Sequence, residues 1–237
     1  MSNPVTYRLE DSVASIVMDD GKVNVMSLQM TRALNAALDR AGADKAVVLL
    51  TGRPGVFSAG FDLSVLGVGG DDARRMVKAG FELAERVLSF PAPVVIACTG
   101  HAVAMGAFLL LSGDVRLAAA GHFKIGANEV AIGLTMPHFG IEICRQRLAP
   151  AHFNRAVINS EMYSPDQAAI AGFVDRIIPA TELLSEALDA ARTLGKLNMA
   201  VHTATKLRAR SQALKSIREA IELDSSSIGL ASAQSNR

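Results

Sequence analysis

Three short segments hold residue types from which chemistry could be built. In Val56-Phe57-Ser58-Ala59-Gly60-Phe61-Asp62-Leu63, the small run Ser58-Ala59-Gly60 lets the main chain approach a ligand closely. In the stretch Pro93 to Phe108, an apolar run is interrupted by Gly100 and resumes at Ala104-Met105-Gly106 as the start of an apolar helix. A helix start carries unpaired N–H groups and the positive end of the helix dipole, which favour negative charge developing nearby. In Ile125 to Gly133, Glu129 offers a carboxylate that can take up and return a proton, with Asn128 beside it. Each segment alone also has a plain structural reading: a glycine turn, a helix start, a solvated charge.

Something must hold these segments in place, and the pattern around them is of alternating strands and helices. Val5 to Leu9 and Val13 to Met18 read as a hairpin turning at Glu10-Asp11-Ser12. Ser27 is a suitable N-cap for a helix to about Ala41, with Met30, Leu34, Ala37, Leu38 and Ala41 on one face. Ala46 to Leu50 and Val94 to Ala97 are continuous apolar runs, the mark of strands covered on both faces. Between them lie a Gly-, Pro- and Ser-containing loop, Thr51 to about Gly70, and a helix from about Asp72 to Ser89 ended by Pro91 and Pro93. A helix from about Ala104 to Ser112 and short strands at Val115 to Ala119 and Phe123 to Ile125 follow. From Pro137 the chain is mostly helical. Ser164-Pro165 starts one helix and Gly172 closes it, Phe173 to Ile178 is a strand, and Leu184, Ala187, Leu188, Ala191 and Leu194 make an amphipathic face. The tail Ser225 to Arg237 is expected to fray. Buried strands separated by helices predict an α/β fold built from parallel βαβ units.

Taken together, in this order and spacing, the three segments resemble the crotonase (enoyl-CoA hydratase/isomerase) family over nearly the whole chain. The resemblance implies a ββα superhelix at 1–178 and a helical C-terminal trimerisation region at 179–237. It implies that the backbone N–H groups of Phe61 and Met105 converge on a thioester oxygen, and that Glu129 is the acid–base carboxylate. Ser58, Ala59, Asp62, Leu63, Phe108 and Asn128 fall on substrate-binding positions. The Asp62 position is usually structural in the family. The coenzyme A of an acyl-CoA substrate would be held by backbone near Ala59 to Leu63, with Lys206, Arg208 and Arg210 as candidates for its phosphates or else a solvated helix face. No further cofactor is implied, and a homotrimer or dimer of trimers is expected.

Two departures matter. Hydratases of the family use a second glutamate three residues after the middle of the small triplet, and Phe108 stands there. Asp62, His101, His138 and Glu142 are the candidates to replace it. One carboxylate and two donors suffice to move a double bond, so isomerisation is the leading expectation; a hydratase with another acid, or a non-catalytic acyl-CoA binder, are the alternatives. The chain also ends sooner than the family's basic, proline-containing tail, so a lid is expected to differ or to come from a neighbouring subunit. A serine hydrolase on a related fold would need a nucleophile at the helix start, where Met105 stands.

Composition narrows the remaining classes. A chain of 237 residues with half its residues apolar supports one sizeable core. A net charge of +1 without basic, aromatic-interleaved runs gives no expectation of nucleic acid. Cys98 and Cys144 lie in apolar stretches and read as buried thiols of a reducing compartment. The apolar stretch Ala102 to Leu111 is too short to span a bilayer, and the N-terminus lacks a signal pattern, so a cytoplasmic, membrane-free protein is expected. The five histidines have no metal-ligand spacing, and Gly67-Val68-Gly69-Gly70 lacks the Lys-Ser/Thr of a phosphate-binding loop.

Overall fold

The computed structural model describes residues 3–227. The chain opens with the expected hairpin, β1 (Val5–Glu10) and β2 (Val13–Met18), closed by Asp11 and Ser12, both at positive φ. That pair of left-handed residues matches the right-handed twist of the two strands. β2 then runs parallel to β3 (Val47–Thr51), and the large sheet continues through β5 (Val94–Cys98), β7 (Val115–Ala119) and β9 (Arg176–Ile178), all parallel. Every residue of β3 and β5 is buried, because both faces are covered.

The two faces are easily told apart. Val48, Leu50, Val94 and Ile96 enter the main core beside α1 (Leu28–Ala43), whose predicted face is buried and whose Ser27 cap accepts from Met30 N at 3.2 Å. Val47, Leu49, Val95 and Ala97 point the other way, onto α8 (Leu183–Leu194). On that helix Leu183, Ala187 and Ala191 are buried, whereas Leu184, expected inward, is exposed.

A second, smaller sheet lies largely outside the strands that the sequence predicts. It consists of β4 (Gly55–Ser58), β6 (Gly100–Val103) and β8 (Ile125–Gly126), all parallel, in that order. The predicted loop 51–70 thus contains β4 and a short helix α2 (Leu63–Val68), and the strand expected at Phe123 to Ile125 sits at β8 instead. Such short, glycine-containing strands carry no readable alternation; they exist because a neighbour supplies the ladder.

Three turns of a superhelix follow. Each places one strand in the large sheet and one in the small sheet, then returns by helix: β3, β4, α2 and α3 (Gly70–Ser89); β5, β6 and α4 (Met105–Leu111); β7, β8, a 3-10 turn (Val130–Ile132) and α5 (His138–Arg147). After α6 (Pro150–Val157) and α7 (Pro165–Ala171), the latter with a Ser164–Gln167 capping box, Gly172 in the left-handed region ends the turn. Phe173 and Val174, expected in a strand, are buried but precede β9.

The C-terminal helices pack back on the same chain. α9 (Met199–Ala209) leads to α10 (Ser211–Ser227), which lies against α3 and α5 and sends Leu214, Ile217 and Ile221 into the main core. Ser225 to Ser227 are therefore helical rather than frayed, and the rest of that tail lies outside the described residues. Among the described residues no helix is long and apolar enough to cross a membrane, and Cys98 and Cys144 are free and buried.

Candidate active site

The three chemistry-bearing segments follow the carboxyl ends of three adjacent parallel strands. β4 ends at Ser58, β6 at Val103 and β8 at Gly126, so the topology itself delivers them to one edge of the small sheet. Outside the carboxyl ends of parallel strands is where open α/β sheets bind ligands.

The first two turns are locked together. Gly60 has φ +92, and a Cβ there would lie 2.9 Å from Ala104 Cβ and 3.4 Å from Met105 N. Only glycine allows both that backbone and that approach. Ala104, the N-cap of α4, has φ 52 and ψ −123, a conformation costing a non-glycine residue on the order of 1–3 kcal/mol. It sets the backbone immediately before Met105, the first residue of the helix. Among the described residues neither Phe61 N nor Met105 N donates to a protein acceptor. Two adjacent turns thus present free N–H groups.

A second layer braces them. Asn24, fully buried at φ 52, donates through Nδ2 to Met18 O (3.0 Å) and Phe57 O (3.1 Å). Ser58 Oγ donates to Asn24 O at 2.7 Å and accepts from Gly60 N at 3.2 Å, while Met26 N donates to Gly60 O at 2.8 Å. The side chain of Ser58, one of the expected substrate-binding positions, is wholly buried, and its hydroxyl holds Gly60. Exposed Ala59 stays on the outer side, tied by its N–H to Val23 O. Asn24 escaped sequence reasoning because its partners lie up to 33 residues away.

The third turn is joined to the second by Ala104 N donating to Gly126 O at 3.0 Å. Glu129 is buried, and Glu129 Oε2 and Asn128 Oδ1 are both shielded from solvent without a hydrogen-bond partner. Buried unpaired acceptors are rare and call for a missing partner. Burial pushes the Glu129 carboxyl up to about 7, its own backbone N–H offsetting only part of that. Among the described residues no ion pair reaches it, and the neighbouring titratable group is the Cys144 thiol of α5, itself raised by burial. A carboxyl balanced near neutrality can both accept and donate a proton.

Aromatic rings wall the site. Phe61 meets Phe81 edge-on at 5.7 Å, Phe81 stacks on Phe139 at 4.3 Å, and Phe139 meets Phe108 edge-on at 6.0 Å. Phe108 is buried, and a Cβ at Gly140 would fall 2.8 Å from its ring and 2.9 Å from Met136 Sδ. On that side the ring is packed directly against α5. Gly80 of α3 accommodates Phe61 in the same way, since a Cβ would fall 2.5 Å from the Phe61 ring. Gly80→Ala is therefore expected to displace Phe61 and lower kcat/KM about tenfold, with a stability loss of about 1–3 kcal/mol. Steady-state kinetics and thermal melts check this, and unchanged kinetics in a folded variant would refute it.

The other candidates are occupied elsewhere. Asp62 caps α2, accepting from Ser64 N (2.9 Å) and Ser64 Oγ (2.6 Å), and the Ser64 bond lowers its pKa. Leu63 begins α2 and is exposed. His101 Nδ1 accepts from Lys124 N, and Glu142 pairs with Arg145. His138 Nδ1 lies 2.9 Å from Asp224 Oδ1. None of them replaces a second carboxylate beside Glu129. Lys206 and Arg210 do not offer themselves to phosphates either: Lys206 is buried, Arg210 is partly buried, and both clamp Asp114, at 2.7 and 2.8 Å, beside a surface groove of about 420 Å³ under α9. Arg208 is exposed.

Comparison with known proteins gives the family and the fold. Residues 8–235 match the profile of the enoyl-CoA hydratase/isomerase family. Human mitochondrial enoyl-CoA delta isomerase 1 is 30% identical over 210 residues, covering 82% of this chain and 70% of that protein. The crystal structure of an enoyl-CoA hydratase/isomerase family protein from Pseudomonas syringae superposes with a TM-score of 0.93 at 48% identity, covering 95% of this chain and 98% of the other. The apo structure of a Mycobacterium tuberculosis enoyl-CoA isomerase does so with a TM-score of 0.90 at 48% identity, over 94% and 97%.

Proposed function

The chain belongs to the enoyl-CoA hydratase/isomerase family and has its crotonase fold, and from that premise we propose that it moves a double bond within an enoyl-CoA by a single-carboxylate proton relay. The observation that carries this reading is Glu129: buried, unpaired at Oε2, raised to about 7, and without a second carboxylate beside it.

In the proposed reaction the thioester oxygen of a 3-enoyl-CoA accepts from Phe61 N–H and Met105 N–H. The Glu129 carboxylate removes a proton from C2; the electron pair of that C–H bond delocalises onto the thioester oxygen as a dienolate. The same carboxyl then returns its proton to C4, the electrons shift back, and the double bond comes to rest between C2 and C3. Proton and charge balance within one residue. The two fixed donors act on charge present only after proton removal, so they favour the transition state over the ground state. Phe108 and Phe139 keep the relay dry, so the proton is not exchanged with water before its return.

Hydration of a 2-enoyl-CoA is the second reading, since the family description covers both activities. It lacks support in the site, because addition of water needs a held water and a second acid or base. Ala59 and Leu63, both exposed at the outer edge of the donor loop, suit contact with the coenzyme A portion. We also propose a trimer or a pair of trimers. Val130, Ile132 and Leu134, each close to half exposed immediately after Glu129, form an apolar run suited to a subunit contact.

A panel of 2-enoyl- and 3-enoyl-CoA substrates of several chain lengths tests the reaction. The expected result is conversion of 3-enoyl to 2-enoyl thioester with hydration at least about a hundredfold slower, the scale of one missing acid–base group. A preference for hydrating the 2-enoyl form would overturn isomerisation and leave the fold untouched.

A further inference from the structure

The far C-terminal helix reaches the candidate site through one carboxylate. α5 starts at Pro137 with no side-chain cap of its own. Its first turn is capped from another helix: Asp224 of α10, itself buried, accepts from His138 N at 3.0 Å and Phe139 N at 2.9 Å and also engages His138 Nδ1. A carboxylate at a helix N-terminus satisfies orphan donors and complements the dipole. The turn it holds is no ordinary one. It bears Phe139, which stacks on Phe81, and Gly140, against which Phe108 closes; one turn further, Cys144 is near enough for the Glu129 charge to act on its thiol. From the other side Leu134 N donates to Glu129 O at 2.9 Å, closing a turn within the eight-residue link, 130–137, that joins Glu129 to α5. α10 is anchored independently, by Lys78–Glu222 (2.8 Å) and Arg218–Glu85 (2.7 Å) across to α3.

The geometry assigns Asp224 the role of a positioning residue: by clamping the first turn of α5 it keeps the aromatic wall shut over Glu129 and the carboxyl out of water. The effect on the reaction rests on the proposed reading of Glu129 as proton carrier; the effect on the carboxyl's hydration does not. If the clamp is released, the wall loosens, water reaches Glu129, and its proton affinity falls towards that of an ordinary carboxylate. Around Glu129 the relevant titratable group is Cys144 on α5; around Asp224 it is His138.

The test uses the full chain carrying Asp224→Ala or Asp224→Asn. With a 3-enoyl-CoA, Asp224→Ala is expected to lower kcat about tenfold with KM nearly unchanged, and to move the acid limb of the kcat profile from about 7 to lower pH. Asp224→Asn keeps one acceptor for the α5 amides and should fall between the two. An acid limb that stays in place in a folded variant, however much the melting temperature drops, overturns the proposal by reducing Asp224 to a structural cap. If Asp224→Ala does not fold, Asp224→Asn carries the same two outcomes. In parallel, ¹³C NMR titration of the Glu129 carboxyl in both proteins needs no turnover. An unchanged midpoint refutes the clamp, whereas a lowered midpoint in a protein that turns over no enoyl-CoA sustains the clamp and refutes only the reaction.

Discussion

Glu129→Gln abolishes double-bond movement, with kcat falling on the order of 10³–10⁴-fold, the scale of a general base acting on carbon without a substitute. Gln fills the same space and still presents an oxygen, so acyl-CoA binding should survive; isothermal titration with a saturated acyl-CoA checks that separation. More than a tenth of the wild-type rate remaining would place the proton transfer elsewhere. The working form in the forward direction is the carboxylate, so in the wild type kcat should decline about tenfold per pH unit below about 7.

The same substitution has a second, opposite consequence. The native carboxyl titrates near 7 instead of the ordinary 4.5 because burial disfavours its charge. A carboxyl raised in the folded state contributes fully to stability below pH 4.5, and that contribution is lost as pH rises through about 7. The gap corresponds to about 3 kcal/mol at pH 8. Glu129→Gln carries no such charge, so relative to the wild type it should gain stability progressively between pH 4.5 and 8. Urea melts at the two ends of that range measure it, and a pH-independent difference would show that the carboxyl is solvated.

Met105→Pro is the second large effect. Met105 is the first residue of α4, a position whose N–H the helix does not use and which has no protein acceptor among the described residues. Proline therefore removes a donor without breaking an internal hydrogen bond. It also removes a buried side chain, so Met105→Ala, which loses the same packing but keeps the N–H, is the necessary comparison. Met105→Ala should retain most of the activity, while Met105→Pro should lose a further 10²–10³-fold in kcat, equivalent to about 3–4 kcal/mol of enolate stabilisation. Equal rates for the two variants would remove Met105 N–H from the mechanism.

The large sheet was readable from residues alone because its strands are continuous apolar runs and its helices have clear faces. β3, β5 and α1 with its Ser27 cap fall where periodicity puts them. The small sheet was not, although it is what brings the chemistry together. β4 and β6 are four residues each and β8 is two, too short for alternation to rise above chance. The segments bearing Phe61, Met105 and Glu129 stand out through their joint resemblance to a family pattern; each alone reads as a turn, a helix start or a solvated charge. Their supports do not stand out: Asn24, Gly80 and Asp224 act across long sequence separations, and nothing in their immediate neighbours marks them. Lys206 and Arg210 show the converse error, since a basic helix face looks solvated until Asp114 is found beneath it.

Phe108 also bears on how such a protein can change over generations. Its ring is held between Phe139 and the bare α-carbon of Gly140, with Met136 behind. Phe108→Glu by itself would bury an ionisable group against the Phe139 ring and the start of α5. Exchanging one of the family's two activities for the other at this position would therefore take coordinated replacements around the start of α5 and not a single substitution.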